Sequence, residues 1–516
     1  MCGIAGFCDY GADFLPDAPV WLRVLRNMRV SLARRGADDC GDYLARHIGL
    51  AHTRLAIRDL VKGTQPIVRR RGESDYVIVY NGEIYNIDEI KPELAAAGYA
   101  FETSTDTEVI LCAYMRWGME CVHRLNGIFA FAIWDGALGE LFLCRDRAGV
   151  KPLFYSVKGG ALAFGSEIKA LFEYPLIKPR LDADSFREIF AIGPARTPGR
   201  GVFKGVNEVK PGHYLTFSAK GARETRYWEL ESRPHTDSLE TTVETVRFLT
   251  RDAVIRQMVS DVPVCSFLSG GIDSSIVTAI AADYLKQNGS RLNTFSFDFR
   301  ENDKYFSSNA FQPERDKPYV LKTLESLDVN HTFLECGEEE LAAALYAAVD
   351  AKDLPGMADV DSSLLYFCSL VKRQNEVALT GECADEIFGG YPWFYRPELT
   401  QGELFPWSRD MSARTALLSD EFARPLELEQ YALERYRDSA AAAPRLPGES
   451  PEEARRREVA YLNIKWFMQT LLDPGVRTCK TFSRTIFIRL SRRIYFSLSD
   501  VRSLVNDNGR RAGKAG

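Results

Sequence analysis

Histidine is sparse in this sequence, six residues among 516, and the six (positions 47, 52, 123, 213, 235 and 331) form no ligand-spaced cluster. Metal binding through imidazole is therefore not expected. Eleven cysteines are present, but no two are spaced as C-x-x-C, so neither a zinc or redox pair nor a disulfide scaffold is indicated. Cys112, Cys121 and Cys144 sit in apolar segments, as small core residues would. No apolar run reaches the ~18 residues that would mark a membrane span. No basic segment followed by a long apolar one opens the chain, so a secretory signal is not expected either. The sequence reads as a cytoplasmic protein with no membrane partner.

What is there is ordinary globular composition: 46% hydrophobic, 26% charged and a formal net charge of −6. The length calls for two or more domains, each able to bury a core. Charge is uneven, however. Residues 474–516 hold ten Lys and Arg against two Asp, with no Glu. Such a tail can attract nucleic acid.

The second residue carries the first chemical signal. Cys2 directly follows the initiator methionine, and its side chain is small enough for that methionine to be removed. The result would be a thiol and an α-amine on one residue. An α-amine titrates near about 7.7–8.0, so it can accept the thiol proton and act as a built-in base.

Residues 1–170 contain short β-branched and aromatic runs (4–7, 47–57, 76–80, 128–134, 141–144) separated by Gly, Asp and Asn turns, with amphipathic helices over 21–33 and 106–117. This pattern predicts layered α+β packing. Three polar groups stand out. Arg54 lies in the strand-like HTRLAI, where a substrate carboxylate could pair with it bidentately. Asn81 and Gly82 follow a strand; the Asn amide and a close backbone N–H can form an oxyanion hole. Glu83 and Asp106 could accept from a substrate ammonium, though Asp106 also reads as a helix N-cap.

The blocks MCGIAGF, RRGADDCG, HTRLAI, YNGEIYN, STDTEV, LNGIFAFAIWD and RDRAGVKPLFY together resemble a class II glutamine amidotransferase domain with the N-terminal nucleophile (αββα) fold. The resemblance implies that Cys2 attacks the glutamine side-chain amide, with Asn81 and Gly82 stabilising the oxyanion. Arg54 would hold the glutamine carboxylate, and Glu83 and Asp106 its amino group. Arg34 and Ala37 depart from the usual His-Arg-Gly-Pro-Asp block.

Residues 171–238 read as a connector and sheet edge. From residue 239 helices alternate with apolar strands (262–268, 293–299, 331–334, 376–379), which predicts an α/β parallel sheet over 239–473. Ser269-Gly270-Gly271-Ile272-Asp273-Ser274-Ser275 leaves such a strand and opens a helix, a setting that favours an anion. It is not a Walker A loop, since no Gly-Lys-Ser/Thr follows. The string resembles the pyrophosphate loop of ATP pyrophosphatases, and LTGECADEIFGGY (379–391) is similar to the asparagine synthetase pattern, with Cys383-Ala384 where Gly-Ser is common. The resemblance implies ATP held by Leu268, Ser269, Gly270, Gly271, Asp273, Ser274, Phe297, Thr380 and Gly381. It also implies Mg²⁺ on Asp273 and Asp385, and Glu382 supporting an acyl-adenylate. Residues 353–363 resemble the aspartate-binding region.

The two halves together resemble the glutamine-hydrolysing asparagine synthetases, whose substrates are glutamine, aspartate and ATP. After residue 473 the family pattern stops, and the Arg/Ser-rich sequence that follows reads as a change of frame or a truncation rather than as a nucleic-acid arm. Lys480 has no counterpart in the family pattern. Three readings stay open at this point: an active synthetase, a glutaminase with an impaired synthetase half, and a noncatalytic form. Amidation of a carboxylate other than aspartate is a further alternative, and a homodimer is the candidate assembly.

Overall fold

A computed structural model describes residues 1–308, 312–477 and 482–485. Among them the first half holds twelve strands: β1 (Gly3–Asp9), β2 (Asp39–Ala45), β3 (Ile48–Arg54), β4 (Ile67–Arg71), β5 (Ser74–Ile84), β6 (Gly127–Asp135), β7 (Glu140–Arg145), β8 (Phe154–Lys158), β9 (Ala161–Gly165), β10 (Asn207–Glu208), β11 (His213–Ser218) and β12 (Gly221–Arg226). They form two antiparallel sheets, in the orders β10-β8-β9-β1-β3-β2 and β12-β11-β7-β6-β5-β4. Residues 207–226 thus supply edge strands to both sheets.

Alternation along the strands explains the layering. In β1, Ile4 and Cys8 enter the core between the sheets, while Ala5 and Phe7 enter a second core beneath the helix Ala18–Ser31. In β6, Ala130, Ala132 and Trp134 point between the sheets. Phe129, Phe131 and Ile133 point instead to the core shared with the helices Ile87–Ala96 and Asp106–Trp117. Period-two side chains therefore bury both faces of each strand. The first half is an αββα sandwich, the N-terminal nucleophile arrangement.

The second half is built on a parallel sheet of β13 (Val264–Phe267), β14 (Leu292–Phe299), β15 (Val329–Cys336), β16 (Val377–Thr380) and β17 (Phe482–Thr485), in the order β15-β14-β13-β16-β17. The order runs outward from β13 in one direction and then returns to its other side, so the sheet is doubly wound. Ligands of such sheets sit beyond the carboxyl ends of the strands, where the order reverses. Here that point lies between the ends of β13 and β16.

The helix Met468–Arg477 crosses residue 473, and β17 pairs with β16, so the fifth strand lies within the stretch read from sequence as a basic tail. The rest of that stretch, Lys480 included, lies outside the described residues. No helix among the described residues is long and apolar enough to cross a membrane.

Candidate active sites

Cys2 precedes β1, whose first pairs place it beside β3 and the end of that strand at Arg54. Its thiol donates to the Leu55 carbonyl oxygen at 3.7 Å. Burial pushes that thiol up from its ordinary range, so the group is held as the thiol and needs a base to become a nucleophile. Met1 is buried, and burial holds its amine well below the usual range.

Asn81, wholly buried in the middle of β5, faces Cys2. In its hydrogen-bonding orientation its amide nitrogen donates to the Cys2 carbonyl oxygen at 3.2 Å, and its oxygen accepts from Arg35 at 3.3 Å. Arg35 Nε also donates to the Cys2 carbonyl oxygen at 2.9 Å. Gly82 owes its identity to the neighbouring strand: a Cβ there would lie 2.2 Å from the Ile128 carbonyl oxygen.

Arg54 is buried, and its guanidinium donates to the carbonyl oxygens of Arg58, Asp59 and Leu60 at 3.2, 2.6 and 3.4 Å. No ion pair to Arg54 occurs among the described residues. The loop that fixes it is tight, since a Cβ on Gly63 would stand 2.1 Å from its Nη2. Asp106 opens its helix but does not cap it. Thr105 is the N-cap, accepting from the Glu108 N–H, and Asp106 Oδ2 instead accepts from Tyr80 Oη at 2.8 Å and from the Ile84 N–H at 2.9 Å. That fastens Asp106 to both ends of the Asn81–Glu83 stretch, and Glu83 is buried there as well.

In the second half a cleft of about 340 Å³ opens at the switch point of the sheet. Leu268, Ser269, Gly271, Asp273, Ser274, Phe297, Thr380, Gly381, Glu382 and Asp385 all line it. Gly270 does not; its φ of +82° and a Cβ position 2.6 Å from the Val320 nitrogen explain the glycine. Ser274 Oγ accepts from the Ser269 N–H at 3.1 Å and donates to the Gly271 carbonyl oxygen at 3.2 Å, which pins the turn shut. Gly381 packs on the same turn, its Cβ position 2.8 Å from the Ser274 nitrogen.

The cleft is rich in carboxylates under strain. Burial, then the neighbouring Asp385, pushes Asp273 up to about 6. Burial also raises Asp385, and it pushes Glu382 up to about 7. Two carboxylates raised by burial at the mouth of this turn, one of them also by the other, are what a divalent cation would relieve. Cys383, with φ of +70°, occupies the left-handed region that a glycine would occupy more easily.

The glutamine amidotransferase domain family matches residues 1–228, and the asparagine synthase family matches residues 245–483. Asparagine synthetase [glutamine-hydrolyzing] 3 of Bacillus subtilis is 48% identical over 474 residues, covering 92% of this chain and 76% of that protein. The chain belongs to the glutamine-hydrolysing asparagine synthetase family. A putative asparagine synthetase [glutamine-hydrolyzing] 2 of Methanocaldococcus jannaschii is 33% identical over 413 residues, or 76% of each chain. Among solved structures, a glutamine phosphoribosylpyrophosphate amidotransferase from B. subtilis complexed with ADP and GMP aligns with 58% of this chain and 75% of its own. Its TM-score is 0.34 and its identity 18%.

In this member of the asparagine synthetase family the two sites are joined by an apolar seam. Met1, Leu55, Ile57, Ile128, Ala148 and Val150 from the first half pack in one cluster with Val377, Cys383, Met468 and Leu472 from the second. Polar clasps flank it: the Asp59 N–H donates to Asp261 at 2.8 Å, and Gln469 donates to the Ala148 carbonyl oxygen at 2.6 Å.

Sequence reasoning did not find Asp298, Asp316 or Lys317, which also line the cleft. They come from the end of β14 and from the start of the helix Lys317–Leu324, and no local string marks them. Lys317 is the one cation lining the cleft among the described residues; its Nζ lies 5.3 Å from the centre of the Phe333 ring and 3.9 Å from Glu335.

Proposed function

We propose that the chain makes asparagine from aspartate, ATP and glutamine, with Cys2 releasing ammonia from glutamine in the first half and the cleft at Ser269 forming β-aspartyl-AMP in the second. The observation that carries this reading is the apolar seam running from Met1 and Leu55 to Cys383, the neighbour of Glu382. The seam packs apolar side chains between the two sites, with the buried Lys151 Nζ 3.4 Å from Met1 Sδ at its Cys2 end.

At the first site, removal of Met1 would free the Cys2 amine beside its own thiol. That amine takes the thiol proton, the thiolate attacks the glutamine amide carbon, and the developing oxyanion is held by Asn81 and the Gly82 backbone. Arg54 holds the substrate carboxylate, and Glu83 with Asp106 its ammonium. The protonated amine returns its proton to the substrate nitrogen as the C–N bond breaks and ammonia leaves, and water then hydrolyses the thioester to glutamate.

At the second site Ser269, Gly271 and Ser274 cradle the pyrophosphate, while Leu268, Phe297, Thr380 and Gly381 hold the adenosine. Asp273 and Asp385 would hold Mg²⁺, which offsets charge on the phosphate oxygens. Glu382, poised by burial near the working pH, can take a proton from the attacking ammonia. A cytoplasmic setting and a homodimer, without nucleic acid or membrane, complete the reading.

The test follows glutamate and pyrophosphate in parallel. Wild type should release both when glutamine, aspartate and MgATP are present. Cys2→Ala should lose glutamate release while keeping pyrophosphate release with ammonium salts. Glutamate release without any pyrophosphate overturns the synthetase half of the proposal, and pyrophosphate release that ignores aspartate overturns the choice of acceptor.

A further inference from the structure

A polar chain runs from Cys2 across the junction of the two halves, through residues that the mechanism above leaves unused. Arg35, which donates to the Cys2 carbonyl oxygen, also donates from Nη1 to Glu167 Oε1 at 3.0 Å, and both side chains are almost fully buried. The other carboxylate oxygen of Glu167 accepts from Lys169 Nζ at 2.8 Å. Lys169 Nζ then pairs with Asp353 Oδ1 at 3.0 Å and donates to the Asp350 carbonyl oxygen at 2.7 Å. The Lys169 N–H donates to Asp353 Oδ2 at 3.2 Å.

Asp353 is not part of the amidotransferase layers. It ends the helix Glu338–Lys352 in a left-handed conformation, φ +60°, and starts the turn into the helix Ala358–Val371. That turn is fastened at its far side as well, where buried Lys352 pairs with Asp361 at 3.1 Å and Asp361 accepts from the Met357 N–H at 2.7 Å. The helix Ala358–Val371 carries Leu364 into the wall of the synthetase cleft. The turn is also wedged from below, because Leu354 packs in the core of the first half with Leu171 and Tyr174.

We propose that Lys169 is a positioning residue that couples the two sites: through its bridge to Asp353, the rate of glutamine hydrolysis at Cys2 responds to what occupies the synthetase cleft. The physical reason is that Arg35 and Glu167 are buried charges with few substitutes for each other. A shift of the Asp353 turn moves Lys169, and Glu167 must then redistribute its hydrogen bonds between Lys169 and Arg35. Arg35 is the group that fixes the Cys2 carbonyl oxygen and the Asn81 amide, so the oxyanion hole inherits the shift. The proposal rests on the reading that the cleft binds ATP.

The experiment measures kcat and KM for glutamine hydrolysis, by glutamate release, without and with saturating MgATP and aspartate. ATP binding is measured separately by calorimetry on every variant. In wild type the nucleotide should change kcat/KM for glutamine by about fivefold or more, the lower range of typical site-to-site coupling. Lys169→Met and, independently, Asp353→Asn should bind ATP yet bring that ratio close to one, and Lys169→Arg should restore most of it. A purely structural Lys169 would slow hydrolysis equally with and without ATP, leaving the ratio untouched, and that result overturns the proposal. So does wild type that binds ATP without any change in glutamine hydrolysis. Failure of wild type to bind ATP at all is a different outcome: it overturns the synthetase reading, and this coupling with it.

Discussion

Gly82 in β5 lies so close to Ile128 in β6 that a single methyl group on it would sit 2.2 Å from the Ile128 carbonyl oxygen. The contact is backbone against backbone, so no side-chain rotation can relieve it. Gly82→Ala must therefore push apart two central strands that also carry Asn81 and Glu83. Overpacking of this kind costs about 1–3 kcal/mol, and each kcal/mol lowers Tm by about 2–4 °C in a domain of this size. The expected outcome is a lower Tm together with loss of glutaminase activity. An alanine variant with wild-type Tm would show that the strands can separate without strain.

Arg54 and Asn81 should separate binding from chemistry. Arg54 is buried, held by three carbonyl oxygens and placed beside Cys2, and in the proposed mechanism it holds a ground-state carboxylate. Arg54→Met removes charged hydrogen bonds worth about 1.5–3 kcal/mol, which raises KM for glutamine about 10- to 150-fold. Asn81→Ala removes a donor that matters most as the oxyanion forms, and should lower kcat about 10²- to 10³-fold with a smaller change in KM. Steady-state kinetics on both variants check the split. If Asn81→Ala changes mainly KM, its amide serves binding instead.

The residues readable in sequence were those whose chemistry is written into one short string. Cys2 shows by position, and Asn81-Gly82-Glu83 and the Ser269–Ser274 turn show by the strand before them. What stayed hidden depends on contacts between distant segments. Arg35 meets Glu167 across 132 positions, and Lys169 meets Asp350 across 181. Asp106 illustrates the intermediate case: the string Ser104-Thr105-Asp106 suggested a cap, but only the fold shows that Thr105 caps while Asp106 turns inward to Tyr80 and Ile84. The parallel sheet was legible from strand–helix alternation, whereas β17 was not, because its four residues lie in a basic segment with no alternating pattern.

Lys317 faces a cleft lined by Asp273, Asp298, Asp316, Glu382 and Asp385. A triphosphate entering that field needs positive charge, and Lys317 is the side chain on hand to supply it. The group is partly exposed, with 43% of its side chain accessible, so solvent screens it. Lys317→Met should raise the apparent KM for ATP about tenfold, the low end for a charged hydrogen bond. ATP–pyrophosphate exchange in the presence of aspartate measures this without involving glutamine. The same variant should show a weaker dependence of that KM on ionic strength. An unchanged KM would leave Lys317 as a stem packed on Phe333 and nothing more.

Glu382 makes a prediction about pH that needs no substrate. Burial pushes its carboxyl up to about 7, above the ordinary value of 4.5. A raised acid binds its proton more tightly in the folded state than in the unfolded one. Its contribution to stability is thus fully present below about pH 4.5 and is lost as pH rises through about 7. Glu382→Gln replaces the ionisable group with a neutral one of the same shape, so it should escape that loss. Melting curves of wild type and Glu382→Gln between pH 5 and pH 8, without nucleotide, give the difference in Tm, and the variant should gain on wild type as pH rises to about 7 and level off above it. Taking the difference cancels groups that titrate alike in both proteins, such as Glu167, which Arg35 and Lys169 hold below the usual range against the effect of burial. A difference that stays flat across the range would mean that Glu382 is already ionised in the folded protein at pH 5. It would then carry no proton of its own into the reaction and would serve, already charged, as an acceptor for the ammonia proton.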